Sequence, residues 1–253
     1  MLNSHGNGKS ANTELDSNSV MRILEREKEY ASLKEKLCAG KSTLIFGPKG
    51  IGKTRLLRKL AQEDQNALYV EDANTSRSLL LGIAAALQIA TGDRALPRTY
   101  ADRRIRSLKG LVRKGLQSGK WRLLLDQLDR PSSAQCSLIK DLHHYGEVPL
   151  AFAAKSPHME DVGDLQILCL NKDERIELKP LHGDVALVFA QDVAEKSGLD
   201  GSNLEDALQA IVTASDGSPG AIKRMIQMSL EEKYRSDGFI KTHVIYLDYL
   251  MKG

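Results

Sequence analysis

Short apolar runs alternate with stretches whose apolar residues recur every three or four positions. The runs are Leu44–Phe46, Ala67–Glu71, Arg122–Asp126, Leu150–Ala154 and Arg175–Leu178. Each is bounded by turn or helix signals, as strands covered on both faces are. Helix-patterned segments lie between them, so the order is that of crossover units and predicts a parallel sheet. Near the start, Tyr30, Leu33 and Leu37 share one helical face. From Leu181 onward the pattern is helical throughout, over Asp184–Lys196, Asn203–Ser215 and Ala221–Tyr234, with Gly-bearing turns at 198–202 and 216–220. Ile240–Met251 reads either as a closing helix or as a short extended segment. These patterns predict an α/β core over residues 21–180 and a small helical lid over 181–253. Residues 1–20, rich in Asn, Ser and Gly, read as a disordered tail.

One of these strands leads into chemistry. Gly47-Pro48-Lys49-Gly50-Ile51-Gly52-Lys53-Thr54 fits G-x-x-x-x-G-K-[ST] at every fixed position. It follows the apolar run ending at Phe46 and precedes a helix-prone segment opening at Arg55, the strand–loop–helix setting that a phosphate-binding loop requires. Glycines let the backbone curl so that successive N–H groups point at phosphate oxygens, and the helix N-terminus adds partial positive charge. Gly47 through Arg55 is thus the expected phosphate-binding segment of an ATP site. Lys53 is expected at the β- and γ-phosphates and the Thr54 hydroxyl on Mg²⁺. A second acid must complete the metal site. Arg122–Leu125 ends in Asp126, and a carboxylate at a strand's C-terminal end lies beside the loop at the top of a parallel sheet.

Composition adds bounds. With 42% hydrophobic and 27% charged residues, the 253-residue chain has the make-up of a soluble globular protein. No apolar run has the length of a membrane span. Cys38, Cys136 and Cys169 are odd in number, lack ligand spacing, and suit reduced thiols in the cytoplasm. His143-His144 point about 100° apart on a helix and read as a surface pair.

Charge changes the picture in one place. Residues 94–122 hold ten Lys and Arg against the single Asp102, a local +9 that leaves −6 for the rest of a chain whose net charge is +3. A helix expected over Tyr100–Ser118 puts Ile105, Leu108, Val112 and Leu116 on one stripe and Arg103, Arg106, Lys109, Arg113 and Lys114 opposite. Two readings stand: a solvated basic face, or a surface for nucleic-acid phosphates carrying no base information. A third possibility is that these cations face a neighbouring subunit.

The chain resembles the AAA+ ATPases of the origin-initiator-like group, which grade into the STAND signalling NTPases. Arg26-Glu27-Lys28-Glu29, Gly47–Thr54, Leu123–Asp129, Ile176–Leu181 and Gly217-Ser218-Pro219 carry the likeness in order and spacing. The resemblance implies a five-stranded sheet in 5-1-4-3-2 order, adenine held between Ile23-Leu24 and a lid that includes Pro219, and ATP-dependent self-assembly or switching. Three departures stand out. Gln127 occupies the place of the usual catalytic Glu; Gln orients water but does not accept its proton, so slow turnover is expected, with Asp129 nearby as a substitute. Lys155 and Ser156 stand where a sensor-1 residue projects. The Gly-x-Pro turn lacks an arginine in the usual sensor-2 register, the nearest being Arg224. The leading expectation is a Mg²⁺-dependent ATP-binding homo-oligomer with slow hydrolysis, acting on DNA. The alternative is a STAND-type switch with little or no hydrolysis.

Overall fold

The computed structural model describes residues 26–91, 104–117 and 119–252. Within them, β1 (Thr43–Phe46), β2 (Ala67–Val70), β3 (Arg122–Leu125), β4 (Leu150–Ala154) and β5 (Arg175–Glu177) form one sheet in the order β2-β3-β4-β1-β5. All neighbouring pairs are parallel. This is the expected 5-1-4-3-2 sheet, read from its other edge.

The period of two along each strand divides the core. Leu44, Leu123, Leu125, Leu150 and Phe152 face one layer, built from α3 (Ser76–Thr91), α4 (Ile105–Gln117) and α5 (Ser133–Gly146). Ile45, Leu124, Ala151 and Ala153 face the other, built from α1 (Glu27–Cys38) and α2 (Lys53–Glu63). Strands buried on both faces need apolar residues at odd and even positions alike, which is why they read as unbroken apolar runs. Burying a side chain such as Phe152 contributes about 1.5–3 kcal/mol. A short α6 (Met159–Val162) and two 3₁₀ turns, Gly163–Cys169 and Lys172–Glu174, connect β4 to β5.

Beyond Leu181 the helices α7 (Gly183–Lys196), α8 (Leu204–Ala214), α9 (Pro219–Ser229) and α10 (Thr242–Lys252) enclose their own apolar cluster around Phe189, Leu208, Ile222 and Ile245. Two expectations change here. The helix expected to run to Tyr234 ends at Ser229, and Glu232–Tyr234 forms a separate 3₁₀ turn. The extended alternative for Ile240–Met251 gives way to α10. Ahead of it lies a two-residue-per-strand hairpin, β6 (Arg235–Ser236) and β7 (Phe239–Ile240). Its turn residues Asp237 and Gly238 both have positive φ, 51° and 77°, the geometry for which Asp-Gly is favoured.

Expectations placed on residues 1–20, on Ile23 and Leu24, and on Arg103 lie outside the described residues. The basic helix begins, as described, at Ile105.

Candidate nucleotide-binding site

β1 ends between two neighbours, and both hold the start of the loop. The Gly47 amide donates to Lys155 O at 3.2 Å, and the Leu178 amide donates to Phe46 O at 2.8 Å. Gly47 has φ +150°, and a Cβ there would stand 2.6 Å from Leu178 O, so the turn out of the strand admits only glycine. The loop is pinned from beneath by Ile51, 1% exposed within the α1–α2 layer. α2 then opens at Lys53 with no acid in its first turn, leaving its N-terminal partial charge unopposed.

Lys53 spans the loop mouth. Its Nζ donates to Gly47 O at 2.5 Å and Pro48 O at 2.9 Å. Burial pulls its pKa down, while Asp126 and Asp129 pull it back up. These two acids, just past the end of β3 and one strand removed from β1 in the sheet, therefore bear electrostatically on the loop lysine. Thr54 is half-buried beside Lys53 at the start of α2.

Asp126, 2% exposed, directly follows β3. Its amide donates to Val70 O at 2.9 Å, which fixes the backbone against β2. Its Oδ1 accepts from the Gln127 amide at 2.9 Å, and its Oδ2 accepts from the Tyr69 hydroxyl at 2.9 Å. Burial and Asp126 push the Tyr69 hydroxyl up to about 12 against the opposing pull of Arg58, so the phenol remains a donor at neutral pH. Gln127 itself is exposed and left-handed, with φ 51°, a conformation that costs a non-glycine residue about 1 kcal/mol or more. Its carbonyl accepts from the Asp129 amide at 3.1 Å, so the acid–Gln–acid segment is a tight turn.

Two clefts flank the loop. One, about 340 Å³, is lined by Arg26, Gly52, Thr54, Arg55, Arg58 and Lys59 among others, and is rich in cations. The second, about 130 Å³, lies between the loop and the C-terminal helices, bounded by Arg26, Gly50, Arg55, Phe189, Pro219 and Lys223. Arg26 borders both. Its guanidinium donates to Ile51 O at 3.1 Å and to Lys179 O at 2.7 Å, tying the loop to the segment after β5. Across the second cleft the Gly220 amide donates to Gly50 O at 2.9 Å.

The other expected residues are placed as follows. The Ser156 hydroxyl donates to Asp161 Oδ2 at 2.6 Å and is committed to that carboxylate, while Lys155 is exposed at the end of β4. Arg224 lies over the Tyr249 ring, 5.6 Å from its centroid, on the α10 side of α9. Lys223, its neighbour, is the α9 cation that lines the loop cleft. His143 Nδ1 is 2.7 Å from Val148 O at the end of α5. Arg106 and Lys114 are exposed on α4. Lys109 and Arg113 are about one-third exposed and share Asp141 of α5, with Arg113 at 2.6 Å; the Arg113 guanidinium also stacks on Tyr145, 4.2 Å from the ring centroid. The basic face is therefore not uniform: half of its expected cations among the described residues are engaged with α5. Ile105, expected on the buried stripe, is 47% exposed at the first turn.

The oxygen donors fit a hard cation. A buried, hydrogen-bonded carboxylate at Asp126 and a hydroxyl at Thr54 are the ligand types Mg²⁺ takes, with waters and substrate phosphates completing its shell. No group of three or more His, Cys, Asp or Glu suited to a metal occurs among the described residues.

Residues 39–162 match the family model described as an AAA domain. This segment is an AAA domain of the P-loop ATPase family. Solved structures agree on the fold. The Walker-type ATPase of Pyrococcus abyssi matches with a TM-score of 0.63 at 17% identity, over 92% of this chain and 73% of that one. Cdc6p of Pyrobaculum aerophilum matches with a TM-score of 0.59 at 17% identity, over 88% of this chain and 63% of that one. Orc1 of Aeropyrum pernix, solved in complex with DNA, gives 0.59 at 14% identity, over 94% of this chain and 68% of that one. The chain thus spans less than two thirds of the Pyrobaculum protein. At these identities the likeness is one of fold. No curated protein matches the sequence.

Sequence reasoning gives no role to four residues of this region: Arg26, Tyr69, Lys223 and Asp141. Arg26 stands out in the sequence only as part of a motif. None of the other three carries a local signal, because each acquires its role through a partner distant in sequence.

Proposed function

We propose that this AAA+ protein is a Mg²⁺-dependent ATP-binding switch whose slow hydrolysis accompanies self-assembly or conformational change on DNA. The observation that carries this reading is the convergence of Lys53, Asp126 and the Gly50–Gly220 contact on one loop. Phosphates entering the loop displace Lys53 Nζ from Gly47 O and Pro48 O, exchanging two neutral carbonyl acceptors for charged oxygens. With ATP, Mg²⁺ supplies neutralisation of the phosphate charge, and Thr54 and Asp126 are the residues that hold it. Adenine lies toward the second cleft, against Pro219, and Ile23 and Leu24 are proposed from the sequence as its other contacts. Residues 181–253 act as a lid on a core of residues 21–180, because the α9 N-terminus touches the very loop that must accept phosphate. Gln127 orients water without accepting its proton, which supports slow turnover.

DNA is the proposed polyanionic partner. The α4 surface, with exposed Arg106 and Lys114, supports backbone contacts, and Lys109 and Arg113 join them only by leaving or sharing Asp141. Likeness of fold to an Orc1 protein solved with DNA points the same way. No helix among the described residues is long and apolar enough to cross a membrane, and a cytoplasmic homo-oligomer is the proposed form. The test is ATP turnover with and without duplex DNA, with assembly state measured in parallel. Turnover or assembly that responds to ATP and DNA together is the expected result. ATP binding with no response to DNA under low salt leaves the STAND-type switch as the function.

A further inference from the structure

Tyr69 lies on β2, an edge strand of the sheet, and its hydroxyl donates to Asp126 Oδ2 at 2.9 Å. The phenol oxygen also receives a hydrogen bond, from Arg58 Nε at 3.2 Å, and Arg58 Nη2 in turn donates to Glu71 Oε1 at 2.5 Å. Arg58 has donors and no acceptor. Its N–H occupies the acceptor side of the phenol oxygen, so the phenolic proton is directed at Asp126. Oδ1 of the same carboxylate is fixed by the Gln127 amide at 2.9 Å. Both carboxylate oxygens therefore have a defined donor. Neither donor belongs to the phosphate loop.

We infer that Tyr69 is a positioning residue for the metal site, its hydroxyl orienting the Asp126 carboxylate toward the Mg²⁺ that accompanies ATP, with Arg58 setting the direction of that hydroxyl. This rests on the proposed nucleotide reading and adds a determinant to it from the opposite side of β3. The physical reason is preorganisation. A carboxylate held at both oxygens meets the ion without rotating first, and outer partners of this kind commonly change metal affinity by about 10–100-fold. The Tyr69 hydroxyl bonds to Asp126 and Arg58 and not to the phosphate loop, so its effect is expected at the metal.

The test is equilibrium binding of a fluorescent ATP analogue to Tyr69→Phe, titrated with and without Mg²⁺. Wild-type protein is expected to bind the analogue more tightly as Mg²⁺ is added. In Tyr69→Phe the Mg²⁺-free affinity is expected to stay within about twofold of wild type, while the Mg²⁺ concentration giving half of the tightening rises about tenfold. An unchanged Mg²⁺ midpoint overturns the inference. So does an equal loss with and without Mg²⁺, because that is the mark of a merely structural role. Should Tyr69→Phe fail to give the wild-type circular dichroism, Arg58→Ala, at the exposed end of the same hydrogen-bond series, decides: a midpoint raised about twofold or more supports the inference, and an unmoved one overturns it. Wild-type protein that binds no analogue at all refutes the nucleotide reading itself, a distinct result.

Discussion

The amide of Gly220 donates a 2.9 Å hydrogen bond to the carbonyl of Gly50, joining the start of α9 to the crest of the phosphate loop. A Cβ on Gly220 would stand 2.7 Å from Gly50 Cα and 2.9 Å from Gly50 O, so the two backbones meet only because neither carries a side chain there. The Gly220 φ is not positive, so alanine fits its own backbone and the conflict is purely across the contact. Gly220→Ala is expected to destabilise the protein by about 1–3 kcal/mol through forced separation of loop and helix. Urea unfolding checks this. A midpoint equal to wild type means that the two elements do not touch in solution.

Lys53 is the direct probe of the loop. Lys53→Ala removes a charge-assisted donor to phosphate, an interaction contributing about 1.5–3 kcal/mol, and ATP affinity is expected to fall about tenfold or more. Calorimetry on the folded variant gives the answer. Equal affinity would leave the ATP reading without its central contact.

Asp126 and Gln127 separate metal binding from chemistry. Asp126→Ala is expected to abolish Mg²⁺-dependent turnover, because the buried strand-end carboxylate is gone. Gln127→Glu supplies a proton acceptor at the same left-handed position, so turnover is expected to rise from a low wild-type rate. Rapid hydrolysis by wild type, slowed by Gln127→Glu, contradicts the role given to this residue.

What is legible in the sequence, and what is not, follows from the range of each interaction. The five strands stand out because a sheet covered on both faces demands apolar residues at consecutive positions, as in Leu123-Leu124-Leu125. The phosphate loop is legible because its glycines and Lys53 answer to local backbone geometry. At the β6–β7 hairpin Asp237-Gly238 is a favoured turn pair, but the surrounding helical pattern masks it. Tyr69 and Asp126 lie 57 positions apart, and nothing at either position foretells the bond between them. The basic helix shows the same limit. Counting acids within residues 94–122 finds only Asp102, whereas Asp141 on α5 folds against Lys109 and Arg113.

That pairing also carries a pH dependence. Burial pushes the Asp141 carboxyl up, but hydrogen bonds and charge from Lys109 and Arg113 outweigh it and hold the group below the usual carboxylate range. A pKa lower in the folded state means that the unfolded chain binds the proton more readily. The stabilisation is therefore complete above the unfolded value of about 3.9 and disappears as pH falls through the folded value. Wild type should be more stable than Asp141→Asn at neutral pH, and the gap should close in acid below about pH 4. Thermal unfolding of both proteins across this range measures it, and a gap that stays constant shows that the carboxylate does not hold the pair.

The same pairing divides the basic face into two experiments. Arg106 and Lys114 are exposed on α4, so replacing both with Gln should weaken DNA binding and leave stability nearly unchanged. Removing one phosphate interaction lowers the slope of log K against log[salt] by about 0.9, and the weakening should be equal across unrelated sequences because phosphates carry no base information. Replacing Lys109 and Arg113 with Gln should act differently. Asp141 is left without its two cations, so the unfolding midpoint falls, and any drop in DNA affinity comes together with a drop in stability. Titrations at two salt concentrations on both double variants, beside their melting curves, tell the effects apart. If Arg106 and Lys114 can be neutralised with no change in DNA affinity or salt slope, α4 is not the DNA surface. If that variant instead fails in ATP-driven assembly without DNA present, the face belongs to a contact between subunits.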